Sequence, residues 1–154
     1  MSTATKIGYD VDFVEWTAQM AELLREGRFD ELDVEHLAEE IEDLGKNHVF
    51  SVQSQLRRML LHLIKMRIQP ERSGNSWRHS ITDARDKIER RFADSPSLRR
   101  KLESQLRRIY RQAVIDALYE TKLTERAAEL DIPAECPYTL DELLAPDLSG
   151  LSPR

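Results

Sequence analysis

Apolar residues recur along this chain at steps of three and four positions, and no segment alternates apolar and polar residues for long enough to predict a strand. This period places the apolar side chains on one face of an α-helix. The pattern therefore predicts an all-α fold, a bundle of four main helices with a short C-terminal helix. We assign one all-helical domain to residues 1–145 and a flexible tail to residues 146–154.

The first predicted helix runs from about Val11 to Glu26 and ends before Gly27, a residue type that commonly terminates helices. Its apolar stripe is expected to belong to the core. The stripe consists of Tyr9, Phe13, Trp16, Met20 and Leu24.

The second predicted helix is unusually long. Asp33 is suited to cap its start, because a carboxylate accepts hydrogen bonds from the backbone of the first turn, and Pro70 ends it. A helix of about 35 residues spans roughly 50 Å, so a bend near Gly45 or a close helix crossing at that glycine is expected. Its apolar stripe consists of Leu37, Ile41, Leu44, Val52, Leu56, Met59 and Leu63.

Two further helices follow the turn PERSGN at residues 70–75. Asn75 or Ser76 can cap the third helix, and Pro96 is favourable in the first turn of the fourth. The predicted buried faces are Trp77, Ile81, Ala84, Ile88 and Phe92 in the third helix, and Leu98, Leu102, Leu106, Ile109 and Ala113 in the fourth.

The C-terminal helix is predicted from the spacing of Thr139 and Glu142, which is that of a capping box. Such a helix would cover one end of the bundle with its apolar residues, Leu140, Leu143 and Leu144.

Composition agrees with a folded, cytoplasmic protein that has no membrane segment. The chain is 40% hydrophobic and 33% charged, with 5 Gly and 6 Pro, which excludes disordered and collagen-like classes. No apolar run approaches the ~20 residues of a membrane span, and the start MSTATKIGYD lacks the apolar stretch of a signal peptide. The single Cys136 can form no internal disulfide and no zinc site of the CxxC type.

Charge is unevenly distributed about the net value of -5. Residues 1–56 hold 4 Lys+Arg and 13 Asp+Glu, residues 57–111 hold 16 and 6, and residues 112–154 hold 3 and 9. In one interpretation the acidic and basic parts lie against each other, within one fold or across a homodimer contact. In the other, the basic part binds phosphate groups, although it lacks the interleaved aromatics and Gly-rich loops of base-reading proteins. This basic face would comprise Arg57, Arg58, Arg90, Arg91, Arg99, Arg100, Arg107 and Arg108.

Helical phase also predicts a set of polar residues that point inward. A charge among apolar side chains is costly unless it is paired or bound to a metal, so these residues are expected to contact one another. In the structural interpretation, Arg85 pairs with one carboxylate of the second helix and one of the fourth, and a histidine donates a further hydrogen bond. The set is Glu40, His62, Arg85, Asp116 and Glu120.

The same residues allow two chemical alternatives. Glu40, His62, Asp116 and Glu120 could ligate a hard or borderline metal ion, or the polar seam could open into a small-molecule pocket. Helix bundles that bind metal through carboxylates carry Glu-x-x-His on two helices, whereas this chain has only the reversed and outward-pointing His36-x-x-Glu39. We therefore assign no metal ligand, no cofactor and no catalytic residue.

Several segments resemble the bacterial family called domain of unknown function 29. They cover about nine-tenths of the chain in the family's order, and the resemblance implies a compact all-helical domain without an established activity, cofactor or catalytic residue. These segments are YDxDFxxW (Tyr9–Trp16), GRFxELDxEHLAEEIEDLGK (Gly27–Lys46), HLxKxxxQP (His62–Pro70), SWxxxIxxxR (Ser76–Arg85), SPSL (Ser95–Leu98) and CPYTLDELL (Cys136–Leu144).

One position departs from this resemblance. The family tends to have Glu-Thr-Gly at the end of the fourth helix, where this chain has Glu120, Thr121 and Lys122. Without the glycine, the fourth helix is expected to continue through Arg126 to Leu130. Further polar positions of the family are kept here, and several coincide with the inward set. They are Glu40, His62, Lys65, Gln69, Trp77 and Arg85.

The combined features favour a non-enzymatic interaction or accessory protein, in which the inward polar residues are structural and the partner is another protein or a second copy of the chain. The alternative is a binder of nucleic acid or of a phosphate-bearing ligand through the basic face. The second alternative is a metal-dependent enzyme with carboxylate and histidine ligands.

Overall fold

The computed structural model describes residues 6–147 and residue 151, and these residues form helices and no strand. The α-helices are α1 (Phe13–Arg25), α2 (Val34–Ile68), α3 (Asn75–Asp94), α4 (Ser97–Thr121) and α5 (Leu140–Leu144). Three 3-10 helices, Phe29–Glu31, Pro70–Arg72 and Thr124–Glu129, lie in the connections. The predicted all-α fold of four main helices and a short C-terminal helix is confirmed.

The chain divides into two compact units, where the sequence predicted a single domain over residues 1–145. The N-terminal unit is Met1–Lys46 and the C-terminal unit is Asn47–Arg154. Their boundary falls inside α2, so each unit contains part of that helix.

The N-terminal unit has a small core. Trp16, Met20 and Leu23 are its buried residues, and Tyr9, Leu32 and Leu37 pack against them. Phe13 and Leu24, both predicted to belong to the core, are each 47% exposed, and the core residue near the end of α1 is Leu23. Leu24 lies about 100° further around the helix, outside the arc that Trp16 and Met20 define.

The C-terminal unit holds the main core, and the predicted buried faces of α3 and α4 are largely confirmed. Trp77 and Leu106 are half-buried, whereas the other predicted members of these two faces are buried. The buried residues contributed by α2 are Val52, Leu56, Met59, Leu60, Leu63 and Ile64. Those contributed by α3 and α4 are Ile81, Ala84, Ile88 and Phe92, and Leu98, Leu102, Ile109, Tyr110, Ala113, Ala117 and Leu118.

The C-terminal helix closes this core as predicted. The Thr139 hydroxyl accepts a hydrogen bond from the Glu142 backbone N–H at 3.2 Å, and the Glu142 carboxylate accepts one from the Thr139 N–H at 2.9 Å. Leu140, Leu143 and Leu144 are buried. Leu151 is also buried, at 5% exposure, within the predicted flexible tail; residues 148–150 and 152–154 of that tail lie outside the described part of the chain.

Helix α2 runs without interruption through Gly45. A Cβ atom at Gly45 would meet nothing within 4 Å apart from its own helix and chain neighbours, so no close helix crossing depends on this glycine. The sequence-based expectation of a crossing there is therefore wrong.

Helices α1 and α4 end in the same way, on a Schellman motif with one left-handed residue. After α1, Gly27 has φ +70° and Arg28 N–H donates to the Leu23 carbonyl at 2.9 Å. After α4, Lys122 has φ 59° and Leu123 N–H donates to the Leu118 carbonyl at 2.9 Å. The prediction that α4 continues to Leu130 is wrong, because Lys122 takes the left-handed conformation despite its side chain.

Lys122→Gly should therefore raise the free energy of unfolding by about 1 kcal/mol, since glycine removes the steric penalty of a left-handed residue. The reverse change at the matched position, Gly27→Ala, should lower it by about 1 kcal/mol, although a Cβ there meets no neighbouring atom. Urea unfolding followed by circular dichroism measures both. A Lys122→Gly protein no more stable than the wild type would contradict the backbone explanation.

None of the described helices combines the length and apolar character needed to cross a membrane.

Candidate functional site

Asp33 connects α1 to the start of α2 within the N-terminal unit. Its Oδ2 atom accepts a hydrogen bond from the Trp16 indole N–H at 3.2 Å and lies 2.7 Å from His36 Nδ1. Its Oδ1 atom accepts a long bond of 3.5 Å from the His36 backbone N–H. The predicted role of Asp33 as the cap of the second helix is confirmed, and the same carboxylate also fixes two side chains.

Tyr9 extends this arrangement on the other side of His36. The two rings are stacked, with centroids 4.1 Å apart and planes 11° apart. The Tyr9 hydroxyl donates a short hydrogen bond to Glu40, which, together with burial and the charge of this carboxylate, raises the pKa of Tyr9 to about 12. We call Tyr9, Trp16, Asp33, His36 and Glu40 the aromatic–acid cluster.

The aromatic–acid cluster contains a histidine oriented by a carboxylate, which is a feature of many catalytic sites. No serine, threonine, cysteine or lysine of the described chain forms a hydrogen bond with the His36 ring. The contacts instead tie the segment before α1 and the helix α1 itself to the first turns of α2. Sequence analysis missed this pair because helical phase placed His36 outward, although an acid and a histidine three residues apart at a helix start can bond directly.

The His36–Asp33 pair should make the stability of the N-terminal unit depend on pH. The hydrogen bond to Asp33 raises the pKa of His36, with contributions from Glu39 and Asp10, and the bond to His36 lowers the pKa of Asp33. The contribution of His36 is present below its ordinary pKa of 6.5 and is lost as pH rises through its raised pKa. The contribution of Asp33 is present above its ordinary pKa of 3.8 and is lost as pH falls through its lowered pKa.

Thermal unfolding of the wild type and of His36→Gln at about pH 5.5 and about pH 8.5 measures this dependence. The wild type should lose more stability than His36→Gln on going to the higher pH. His79→Gln is the control, because His79 is exposed on α3 and its ring forms no hydrogen bond or ion pair within the described chain. An identical pH response of wild type and His36→Gln would show that the pair does not contribute.

Four of the five residues of the predicted inward cluster have separate hydrogen-bond partners, and none of the five is buried. Glu40 accepts from Tyr9, Asp116 accepts two bonds from Arg57, and Glu120 accepts from Lys65 at 2.9 Å. Asp116 and Glu120 thus pair with Arg57 and Lys65 of α2, and not with Arg85 as predicted. Each long basic side chain reaches a carboxylate at the surface, where water still solvates the charge.

Arg85 instead holds the end of α5. Its Nη1 donates to the carbonyl oxygens of Ala145 and Pro146 at 3.3 and 3.1 Å, and its Nε and Nη2 donate to Asp86. The side chain is 15% exposed. Arg85 therefore satisfies carbonyls that the five-residue helix leaves unpaired.

His62 lies half-buried beside Trp77, with ring centroids 6.4 Å apart. Its Nδ1 atom is buried and has no hydrogen-bond partner in the described structure, and burial, with the nearby charges of Lys65 and Arg58, lowers its pKa. The Lys65 ammonium lies 5.1 Å from the centre of the Trp77 ring. The predicted hydrogen bond from His62 to an acidic residue does not form.

No group of three or more His, Cys, Asp or Glu side chains that could hold a metal ion occurs among the described residues. The four candidate ligands Glu40, His62, Asp116 and Glu120 do not form such a group. Cys136 is half-buried and its thiol donates to the Tyr138 carbonyl, and burial raises the pKa of the thiol. A raised pKa disfavours the thiolate that a nucleophilic cysteine requires.

Half of the predicted basic face is neutralised by carboxylates. These ion pairs are Arg57–Asp116, Arg58–Asp83, Arg99–Asp141 and Arg107–Glu135. The other four arginines make no ion pair within the described chain; they are Arg90, Arg91, Arg100 and Arg108.

Two adjoining grooves run along the exposed side of α4 in the C-terminal unit. The first has a volume of about 390 Å³ and the second about 370 Å³, and both are lined by Arg108 and Gln112. Together we call them the α4 groove. Its other lining residues are Phe50, Gln53, Ser54, Arg57 and Ile109 in the first part, and Ser104, Arg107, Arg111 and Ile115 in the second.

The apolar stripe of α2 is uncovered in its N-terminal part. Val34, Ile41 and Leu44 are 65%, 66% and 64% exposed, and every residue from 41 to 47 is exposed. The sequence predicted that Ile41 and Leu44 would be buried with Val52 and Leu56, and for Ile41 and Leu44 this is wrong. We call Val34, Ile41 and Leu44 the open stripe; at about 100° per residue they lie within one arc of about 80°.

The fold and these surfaces define an all-α protein with an exposed apolar helix face and a separate basic groove. The model of the family named Domain of unknown function DUF29 matches residues 8–149, and the chain belongs to this family, as its sequence segments indicated. No curated protein and no solved structure matches the chain.

Proposed function

We propose that this protein is a non-enzymatic interaction protein that binds a protein partner through the open stripe. The observation that carries the proposal is the exposure of Ile41 and Leu44, 66% and 64%, on a helix whose continuation is buried. Large apolar side chains grouped on one helix face are typical of surfaces that are covered by a partner.

The composition of the N-terminal unit supports the proposal. Eight of the eleven exposed large hydrophobic residues described lie in this unit, which has three buried residues in its core. A core of this size contributes little stability, because a small unit buries a small fraction of its apolar surface. A partner that covers the open stripe would add to this burial.

The proposal assigns no catalytic residue, metal or cofactor, and it includes a cytoplasmic, bacterial setting. Support for a reducing compartment comes from the lone thiol of Cys136, which has no second cysteine with which to pair.

Affinity capture from the native host tests the proposal, with the full-length protein, the Ile41→Ser/Leu44→Ser double variant and Val14→Ser as baits. Val14 is the matched control, because it is 71% exposed but lies on α1. A specific companion should be captured by the wild type and by Val14→Ser and lost with the double variant. Equal capture by all three baits would show that the open stripe is not a binding surface.

A second candidate function is retained for the basic face. Arg90, Arg91, Arg100 and Arg108 have no carboxylate partner in the described chain, so they are available to phosphate groups. A mobility shift of a mixed-sequence oligonucleotide at low salt, weakening steeply as salt is raised, is the expected result. The absence of a shift at low salt would remove this candidate.

A further inference from the structure

We infer that the partner of the open stripe is a second copy of this chain, and that the α4 groove of one copy receives the α2 stripe of the other. This inference rests on the proposed function, because it names the partner of the same surface. Charge, apolar content and dimensions support it separately.

The two surfaces have opposite charge. Residues 1–46 hold 4 Lys+Arg and 13 Asp+Glu, a net charge of -9, and residues 47–154 hold 19 and 15, a net charge of +4. Of the four arginines that line the α4 groove, Arg57 is paired with Asp116, and Arg107 and Arg111 are both paired with Glu135. Arg108 is the one that has no carboxylate partner in the described chain. Because opposite charges speed encounter and reject partners of like charge, an acidic helix suits this groove better than a neutral or basic one.

Both surfaces also present apolar side chains to solvent. Phe50 and Ile115, which line the two parts of the groove, are 61% and 63% exposed. A partner helix that contributes Ile41 and Leu44 would cover them, which is how amphipathic helices bind to hydrophobic grooves.

The lengths of the two surfaces are similar. Val34 and Leu44 are ten residues apart, and Ser104 and Ile115, the ends of the groove lining on α4, are eleven residues apart, so each surface spans roughly 15 Å of helix. A docked helix satisfies its own backbone hydrogen bonds, so the groove has to accommodate side chains only. Gln112 and Ser54 in the groove offer hydrogen bonds to the flanking carboxylates of such a helix.

Each chain carries both surfaces, so a twofold pair of chains would form the contact twice and leave neither surface open. Direct packing of two open stripes against each other is less favourable, because each is flanked by the carboxylates of Glu35, Glu40 and Glu42.

Sedimentation equilibrium of the full chain at low and high salt is the test. The wild type should dimerise, and the dimer should weaken as salt screens the charges. Ile41→Ser/Leu44→Ser should weaken it at least about 100-fold, and Arg108→Glu or Glu42→Lys about tenfold each. Arg90→Glu is the matched control: Arg90 is exposed, has no carboxylate partner and is not among the residues that line the groove, so it should leave the dimer unchanged.

Mixing Arg108→Glu with Glu42→Lys supplies the decisive measurement. The two variants should form a heterodimer, because one of the two contacts then joins a wild-type stripe to a wild-type groove and the other joins the two reversed charges. Each of the two variants alone, at the same total concentration, should stay largely monomeric, because both contacts of its homodimer set like charges against each other. Circular dichroism of each variant verifies that it is folded.

A wild-type protein that stays monomeric at its highest soluble concentration would overturn the inference, as would a dimer unaffected by Arg108→Glu and Ile41→Ser/Leu44→Ser. If a monomeric protein still captures a companion that the double stripe variant loses, the proposed function stands and only the identity of the partner falls. If the protein is monomeric and the capture experiment shows no difference between baits, both fall.

Discussion

Replacing Trp16 with alanine should destabilise the N-terminal unit by about 3–5 kcal/mol, which is typical for removing a buried aromatic side chain. Trp16 is 1% exposed and is one of three buried residues in this unit, so no other core is available to compensate. The change also removes the indole donor to Asp33. Residues 1–46 should therefore unfold locally while the C-terminal unit stays folded.

Hydrogen exchange followed by mass spectrometry distinguishes the two units. Peptides from residues 6–46 of Trp16→Ala should exchange much faster than in the wild type, whereas peptides from α3 and α4 should be unchanged. Leu56→Ala is the matched control, because Leu56 is 0% exposed in the core of the C-terminal unit and its loss should cost about 2–5 kcal/mol there. Faster exchange in both units of Trp16→Ala would show that they unfold together.

Arg85→Met should lower the free energy of unfolding by about 1–3 kcal/mol, because the carbonyls of Ala145 and Pro146 lose their donor at the end of α5. The sequence also predicted that replacing Arg85 would cost much stability, because Arg85 was expected to pair with a buried carboxylate. The structure places no buried carboxylate beside Arg85. Arg90→Met is the control and should change stability by less than about 0.5 kcal/mol, since Arg90 is exposed and unpaired in the described chain. Equal urea midpoints for the two variants would contradict this role for Arg85.

The helices were predictable from sequence because their buried faces repeat with the period of the helix itself. Ile81, Ala84 and Ile88 show this for α3, where four of the five predicted core residues are buried and Trp77 is half-buried. The same period failed for Ile41 and Leu44, since helical phase identifies residues that share a face and cannot show whether another element covers that face.

The polar contacts were less predictable for a related reason. The helical period predicts the direction of each Cα–Cβ bond. The side chains of Arg57, Lys65 and Arg85 are long, so their charged ends reach partners that lie away from that direction. The hydrogen bond between Asp33 and His36 could have been predicted from the sequence, because the two residues lie three positions apart at the start of a helix. The bond from Trp16 to Asp33 depends on the packing of α1 beside α2 and has no signal in sequence spacing.

The helix ends show how strongly local backbone preference competes with the rest of the chain. Gly27 ends α1 as its conformational freedom predicts, whereas Lys122 adopts a similar left-handed conformation at the end of α4 against its own preference. The chain continues from Lys122 into the 3-10 helix Thr124–Glu129.

The lone thiol of this chain also provides an intrinsic reporter of conformational opening. Cys136 lies in the segment before α5, is half-buried, and donates to the Tyr138 carbonyl. A maleimide at near-neutral pH reacts with thiols far faster than with the amines of the chain, so Cys136 is the site that it modifies. The labelling rate of the wild type, compared with the rate of a free thiol, would thus report how accessible the segment before α5 becomes, without any engineered probe.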